Sequence, residues 1–240
     1  MSLQPVARSS VSGAVYEQLS GEILAGRYDA GQALPAERIL AELLGVNRGA
    51  VREAIQRLAG AGLVESRQGA GTVVLDYRLR AGLDLLPALL VGEEGVDAGA
   101  VRSVAELRAC IGADAARLAA GRADAAARQR LEACGRALAQ APDLAARQAA
   151  SLAMWEAVVD ASDNIAYRLA MNSLRRAYEP VQEMLRGVLS DELDDVDGHQ
   201  AVIAAVLAGR PEDALQRART LLARGGDALA AIALALGGRP

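Results

Sequence analysis

The chain has 240 residues, 52% of them hydrophobic and 23% charged, and a formal net charge of −4. That length exceeds the usual single domain, so two domains are expected, and the composition supports packed cores and excludes a disordered chain. All 26 basic residues are arginine, which closes Schiff-base lysine chemistry. A single histidine, His199, closes a three-histidine zinc centre and makes acid–base enzymes a poor fit. No apolar run reaches the roughly 20 residues needed to span a bilayer, and the N-terminus lacks the apolar core of a signal peptide. A cytoplasmic protein that is not an enzyme is the expectation. The cysteines, Cys110 and Cys134, form no CxxC and are expected as small buried hydrophobes. Charge is spread evenly: residues 1–76 hold seven arginines against eight acids, and residues 77–240 hold nineteen against twenty-two. A protein that coats nucleic acid should be globally basic. Any nucleic-acid binding here must come from where a few arginines point.

Residues 1–10 read as a flexible polar arm containing Pro5 and Arg8. Val11, Val15, Leu19, Ile23 and Leu24 recur at helical spacing and predict a helix over 11–25, stopped by Gly26. A loop with Gly31 follows, and Pro35 is placed at the first position of the next helix. That helix, over 37–43, is expected to dock through Ile39, Leu40 and Leu43. Gly45 turns the chain into a second helix. On the second helix, taken at roughly 100° per residue, Arg48, Arg52 and Gln56 fall at roughly 0°, 40° and 80°. Val51, Ala54, Ile55 and Leu58 take the opposite side. This is a helix-turn-helix whose second helix is free to enter a DNA major groove.

Gly60 and Gly62 end the helical pattern. Two β-capable runs, 63–67 and 72–75, are joined by the turn Gln68-Gly69-Ala70-Gly71 and predict a hairpin. A helix-turn-helix followed by a hairpin is a winged helix, so 11–77 is assigned as a DNA-binding domain. Its wing tip carries Arg67 and Gln68, with small residues that permit close approach to a phosphate or minor groove. Residues 78–96 read as a linker with a short apolar helix over 83–90. From residue 97 to 240 only helical periodicity appears, with helices expected over 98–121, 124–140, 143–161, 164–190, 195–208 and 211–235. Pro180 should kink the fourth. The fold class is therefore mostly α: an N-terminal winged helix-turn-helix and a C-terminal all-helical bundle of about six to seven helices.

The stretch LPAERILAELLGVNRGAVREAIQRLAGAGLVESRQGAGTVV resembles the GntR family of bacterial transcription regulators, in its FadR-type branch. The resemblance implies DNA contacts from Arg38, Arg48 and Arg52, with Gly69 as the wing-tip glycine. The DNA-facing set is then Arg38, Arg48, Gly49, Ala50, Arg52 and Gln56 on the helices, and Arg67, Gln68 and Gly69 on the wing. The competing reading is that the arginines only solvate a surface or pair with Glu37, Glu42 and Glu53.

The segment SLAMWEAVVDASDNIAYRL resembles the FCD-type effector domain of that branch, in which an Asp and three His residues bind a divalent metal. The matching positions here are Ser151, Trp155, His199 and Leu221, so three of the four ligands are gone. Neither a metal nor another cofactor is expected. Trp155, Met154, Met171 and Leu221 would instead make the interior apolar, which suits a ligand with a hydrocarbon part, each buried CH₂ being worth about 0.8 kcal/mol. Together with the run RAGLDLLPALL, this pattern looks like that of lipid-responsive regulators, and the resemblance implies a fatty acid or acyl-CoA as effector. Arg108, Arg168 and Arg175 are candidate partners for an anionic head group. Each of these residues also has a purely structural reading, as core filler, interior histidine or salt-bridge partner.

The resulting expectation is a homodimeric repressor that binds a pseudo-palindromic double-stranded operator and answers to a small-molecule effector, without membrane involvement. Two readers across a two-fold axis multiply the few base pairs that one helix can read. The alternatives are a ligand-independent dimeric DNA-binding protein and a sensor of a non-lipid carboxylate.

Overall fold

The computed structural model describes residues 11–92 and 95–235; the arm expected over 1–10 lies outside the described residues. The chain divides into two compact units, Met1–Gly95 and Val96–Pro240. The first opens with α1 (Val11–Leu24), α2 (Glu37–Leu44) and α3 (Arg48–Gly60), then the antiparallel strands β1 (Val64–Arg67) and β2 (Gly71–Val74). Its core joins Val15, Leu19 and Ile23 of α1 to Leu40 of α2 and to Val51, Ala54, Ile55 and Leu58 of α3. The apolar stripes that produced these helices are thus the faces that meet. Two details of α2 differ from expectation. Leu40 and Ala41 are buried on it and Leu44 packs against the same core, while Ile39 and Leu43 face outward, because the stripe of 40, 41 and 44 is the one turned to the core and 39 and 43 lie beside it. The helix also starts two residues beyond Pro35, with Ala36 as its N-cap.

Gly45 closes α2 in the left-handed conformation, at φ 65°, which glycine enters without the Cβ clash. Asn47 then caps α3, its side chain accepting a hydrogen bond from Ala50 N at 2.9 Å, so the tight turn both ends one helix and starts the next. The wing is wider than a two-stranded hairpin. Leu34 N donates to Thr72 O and Val74 N to Gln32 O, each at 2.8 Å, and Ala33 bridges Val73, so the loop before α2 lines the edge of β2.

The stretch read as a linker folds with the first unit. Up to Gly95 it forms α4 (Tyr77–Arg80), a 3₁₀ turn (Leu83–Leu85), α5 (Leu86–Leu90) and the two-residue strand β3 (Val91–Gly92); the two-residue strand β4 (Gly95–Val96) falls at the unit boundary. Leu85 is buried in the same core, with Tyr77, Ala81, Ala88 and Leu89 against it. At Gly62, with φ +74°, a Cβ would lie 2.7 Å from Arg80 O. The absence of a side chain there is what lets this segment lie on the end of α3.

The second unit contains the long helices α6 (Ala98–Arg122), α7 (Ala125–Gln140), α8 (Leu144–Ala161), α9 (Ile165–Tyr178), α12 (Val196–Leu207) and α13 (Pro211–Ala235). Between α9 and α12 lie a 3₁₀ turn (Glu179–Val181), α10 (Gln182–Val188) and α11 (Ser190–Leu193). Pro180 therefore breaks the helix expected over 164–190 into pieces, because its ring removes a backbone donor and crowds the preceding turn. Asp97, Asp124, Asp143, Asn164 and Asp195 cap α6, α7, α8, α9 and α12 through their side chains. The most extensive helix pairing is α6 with α13. It is antiparallel, since Gly112 meets Leu222 and Ala120 lies near Gly209. Buried alanines on both, including Ala115, Ala116, Ala119, Ala214 and Ala218, allow the close approach. Cys110 is exposed on α6 and Cys134 half-buried on α7, both free thiols; the buried role expected of them fails for Cys110, which falls on the outer side of its helix.

Candidate functional site

On α3 the helical wheel translates directly into exposure. Arg48, Gly49, Arg52 and Gln56 are exposed, whereas Ala50, Val51, Ala54, Ile55 and Leu58 are buried. Ala50 must therefore leave the DNA-facing set. It lies roughly 200° from Arg48 around the helix, its methyl group is in the core, and its N–H is taken by the Asn47 cap. The arginines differ in company. Arg38 Nη1 donates to Glu42 Oε1 at 2.7 Å, one turn along α2. Arg52 reaches across to the first residue of α2, Nη2 donating to Glu37 Oε2 at 3.0 Å and Nε to the same oxygen at 3.3 Å. Arg67 donates through Nε to Glu65 at 2.5 Å on the wing. Arg48 has no ion pair among the described residues. Gln68 and Gly69 form the exposed wing tip, and Gly69 has φ +80°. Arg57, on the same helix, instead stacks over the Tyr16 ring at 4.3 Å, which ties α3 to α1.

In the second unit Ser151, Trp155, His199 and Leu221 stand at the positions that the sequence resemblance matched to metal ligands. Ser151 Oγ lies 2.9 Å from His199 Nε2, and His199 Nδ1 lies 2.8 Å from Asp195 O. A carbonyl oxygen only accepts, so Nδ1 carries the proton and Nε2 accepts from the Ser151 hydroxyl. His199 is fully buried, and this burial pushes its pKa below the ordinary histidine value against the opposing pull of the Asp195 carbonyl and Glu192. The imidazole is thus held neutral in one tautomer with both nitrogens engaged. Trp155 and Leu221, both buried, offer no lone pair suited to a cation. These residues do not fit a divalent metal.

The remaining candidates separate by burial. Met154, Trp155, Met171 and Leu221 are buried. Trp155 packs its benzo edge toward Gly112, where a Cβ would sit 3.3 Å from Cζ3. Its Nε1 is buried without a hydrogen-bond partner among the described residues, a state that costs about 1–3 kcal/mol if nothing satisfies it. Arg108 points inward, but Glu192 already meets it, with Nη1 donating to Oε2 at 2.9 Å and Nη2 to the other oxygen. Burial opposes the charge on Arg108, and the attraction and hydrogen bonding of Glu192 outweigh it. Arg168 and Arg175, the other candidate anion partners, also have acidic partners already. Arg168 donates to Asp160 at 3.2 Å and to Asn172, and exposed Arg175 donates to Glu156 at 3.3 Å. Both flank Met171 on α9, where carboxylates of α8 already meet their charges.

Several residues of this interior carry no sequence motif. Glu192 is 1% exposed, and a Cβ on Gly225 would lie only 2.1 Å from its Oε2, so the glycine of α13 makes room for the Arg108–Glu192 pair. Gln148 is buried on the face of α8 that carries Ser151 and Trp155. Its side-chain nitrogen donates to Tyr178 Oη and Gln182 O, and it accepts from Arg186 Nε at 2.9 Å. A groove of about 460 Å³ between α7 and α12, floored by Gly135, Ile203 and Leu207, contains none of the residues singled out by sequence.

Comparison with known proteins accords with this geometry. Residues 11–74 match the family described as bacterial regulatory proteins, gntR family, and residues 103–224 match the FCD domain. The HTH-type transcriptional regulator Mce2R of Mycobacterium tuberculosis is 41% identical over 232 residues, 97% of each chain. The fatty acid metabolism regulator protein of Edwardsiella ictaluri is 39% identical over 84 residues, 35% of each chain. Among solved structures, Lar, described as controlling the Listeria monocytogenes agr system, shares the fold with a TM-score of 0.59 at 16% identity, covering 95% of this chain and 98% of its own. With a winged helix-turn-helix in its first unit and an FCD helical domain in its second, the chain is a DNA-binding transcription regulator and belongs to the GntR family.

Proposed function

We propose that this regulator is a cytoplasmic homodimeric repressor that reads a pseudo-palindromic operator with α3 and the wing. The observation that carries the reading is the exposed face of Arg48, Arg52 and Gln56, set opposite a fully buried apolar face on one short helix. Arg48 and Arg52 are assigned to base edges or adjacent phosphates, since an arginine fork matches guanine O6 and N7. Arg38, Gly49, Gln56, Arg67, Gln68 and Gly69 complete the surface. A duplex selected by the full-length protein from a randomised library, measured by fluorescence anisotropy, tests it. Joint replacement Arg48→Ala and Arg52→Ala is expected to abolish the operator preference. Intact preference in that variant overturns the assignment.

The same reading gives the bundle an effector with an apolar body, a fatty acid or its acyl-CoA. Support comes from the buried Met154, Trp155, Met171 and Leu221, from the unpartnered Trp155 N–H that an acceptor on a ligand would satisfy, and from the lipid-named relative. Arg108 is the cation left to such a ligand, in competition with Glu192, and neutral His199 offers polarity without charge. A ligand shifts DNA affinity only through different affinities for the DNA-competent and incompetent states. Native mass spectrometry and thermal shift with a long-chain acyl-CoA, its free acid and a short carboxylate separate lipid from non-lipid sensing. A second reading, a bundle that only dimerises, is favoured by the way Trp155 and Leu222 fill the space beside Gly112; it predicts no response to any of the three.

A further inference from the structure

We propose that Glu37 is a positioning residue for DNA readout: from the first turn of α2 it clamps one edge of the Arg52 guanidinium, so that Arg52 meets DNA only through its remaining edge and in one orientation. This inference rests on the reading that α3 faces DNA.

The geometry is side-on. Glu37 Oε2 accepts from Arg52 Nη2 at 3.0 Å and from Nε at 3.3 Å, and Oε1 lies 3.5 Å from Nε. A guanidinium has five N–H donors in a planar fork. Side-on pairing occupies the Nε edge and leaves the end-on edge, Nη1 with the second hydrogen of Nη2, which is the edge suited to the O6 and N7 of guanine. The clamp sits on the more sheltered partner: the side chain of Glu37 is 34% exposed and that of Arg52 is 65% exposed. Its carboxylate also lies in the first turn of α2, whose N-cap Ala36 supplies no side-chain bond, so the positive end of the helix favours the charge at that place.

The other two acidic partners on this face are different in kind. Glu42 holds Arg38 one turn away on the same helix, and Glu65 holds Arg67 two residues away on the same strand. Such local pairs between exposed groups constrain little. Glu37 and Arg52 are 15 residues apart and join the two helices of the motif, so the direction of Arg52 is tied to the scaffold. The clamp has two consequences. Arg52 gives up side-chain freedom before DNA arrives, and its charge is partly met by protein, which weakens attraction to any phosphate while leaving a correctly placed guanine able to bind. In a DNA-binding unit with more acids than arginines, discrimination then comes from direction and not from bulk attraction.

The test uses the full-length protein, with the selected operator duplex and a scrambled duplex of equal length, across a salt series. In Glu37→Gln the ratio of operator to scrambled affinity is expected to fall about tenfold. Scrambled binding should tighten, and its dependence of log K on log salt should steepen by about 0.9, one further phosphate contact. Arg52→Lys, which cannot be held side-on, should lose a similar share of the ratio, and the double variant should lose no more than either single one. An unchanged ratio in Glu37→Gln, or full additivity in the double variant, overturns the inference. So does a lowered melting temperature with the ratio intact, which marks a merely structural staple. Loss of preference in Arg48→Ala alongside no effect of Glu37→Gln removes the clamp and keeps the DNA face; preference that survives Arg48→Ala with Arg52→Ala removes both.

Discussion

The face of α3 and the interior of the helical bundle use the same residue type in opposite ways. On α3 the arginines stand exposed, and what surrounds them sets direction. In the bundle Arg108 meets a carboxylate that is 1% exposed, and what surrounds it sets whether the fold survives. An exposed ion pair contributes about 0–1 kcal/mol because water competes for both partners. A buried pair carries a desolvation cost that only its own geometry offsets, so removing one partner costs far more than the pair contributes. The comparison teaches that arginine count says little here. Position relative to water decides whether an arginine reads, or holds.

The largest effect that would sharpen this contrast is at Arg108. Arg108→Met leaves the buried Glu192 carboxylate without its cation and is expected to cost about 3–5 kcal/mol in urea unfolding. The double variant Arg108→Met with Glu192→Leu should recover most of that loss, because both desolvated charges are then gone. No recovery would show that Arg108 has a second role. On the other side of the comparison, Arg48→Ala should reduce operator affinity about tenfold to a hundredfold with the melting temperature unchanged, measured by anisotropy beside a thermal melt. A large loss of stability there would place Arg48 among the holding residues.

A smaller effect is expected at the junction of the two behaviours. Asn47 touches no apolar core, yet it caps the recognition helix, and Asn47→Ala should cost about 1 kcal/mol of stability; Asn47→Gly should cost less. The smallest is a pH effect at His199. Burial depresses its pKa in the folded state, so the unfolded chain binds a proton first as pH falls. Stability should therefore be fully present above about pH 6.5 and decline as pH drops below it, with Glu192, Asp195 and Arg108 as the charged groups around the ring. His199→Gln should flatten that decline in melts between neutral and mildly acidic pH. An unchanged slope would mean the imidazole is not held neutral.

Much of the fold was legible in advance because helix periodicity and its punctuation are local. Gly26, Gly45 and Gly62 mark ends, and the 3.6-residue spacing over α1, α3 and the long helices marks faces. The misses have physical reasons. Ile39 and Leu43 are apolar yet exposed, and spacing alone cannot tell a two-turn helix which of its apolar residues will find a core. The segment after β2 looked like a linker, and it folds back because Gly62 leaves room for the backbone at Arg80, a long-range fit with no local pattern. Ala50 was misplaced because adjacency in sequence to Arg48 does not mean adjacency on a helical surface.

By itself the sequence determined the helix-turn-helix, the wing, the helical second half and the family. Those follow from residue identity at fixed spacing, which is one-dimensional information. Only the tertiary structure decided the partners: Glu37 for Arg52, Glu192 for Arg108, Ser151 for His199, and the glycines at 112 and 225 that clear space for Trp155 and Glu192. A charge acquires its role from what lies within a few ångströms of it. Residues 15 or 84 positions apart come that close only when helices pack.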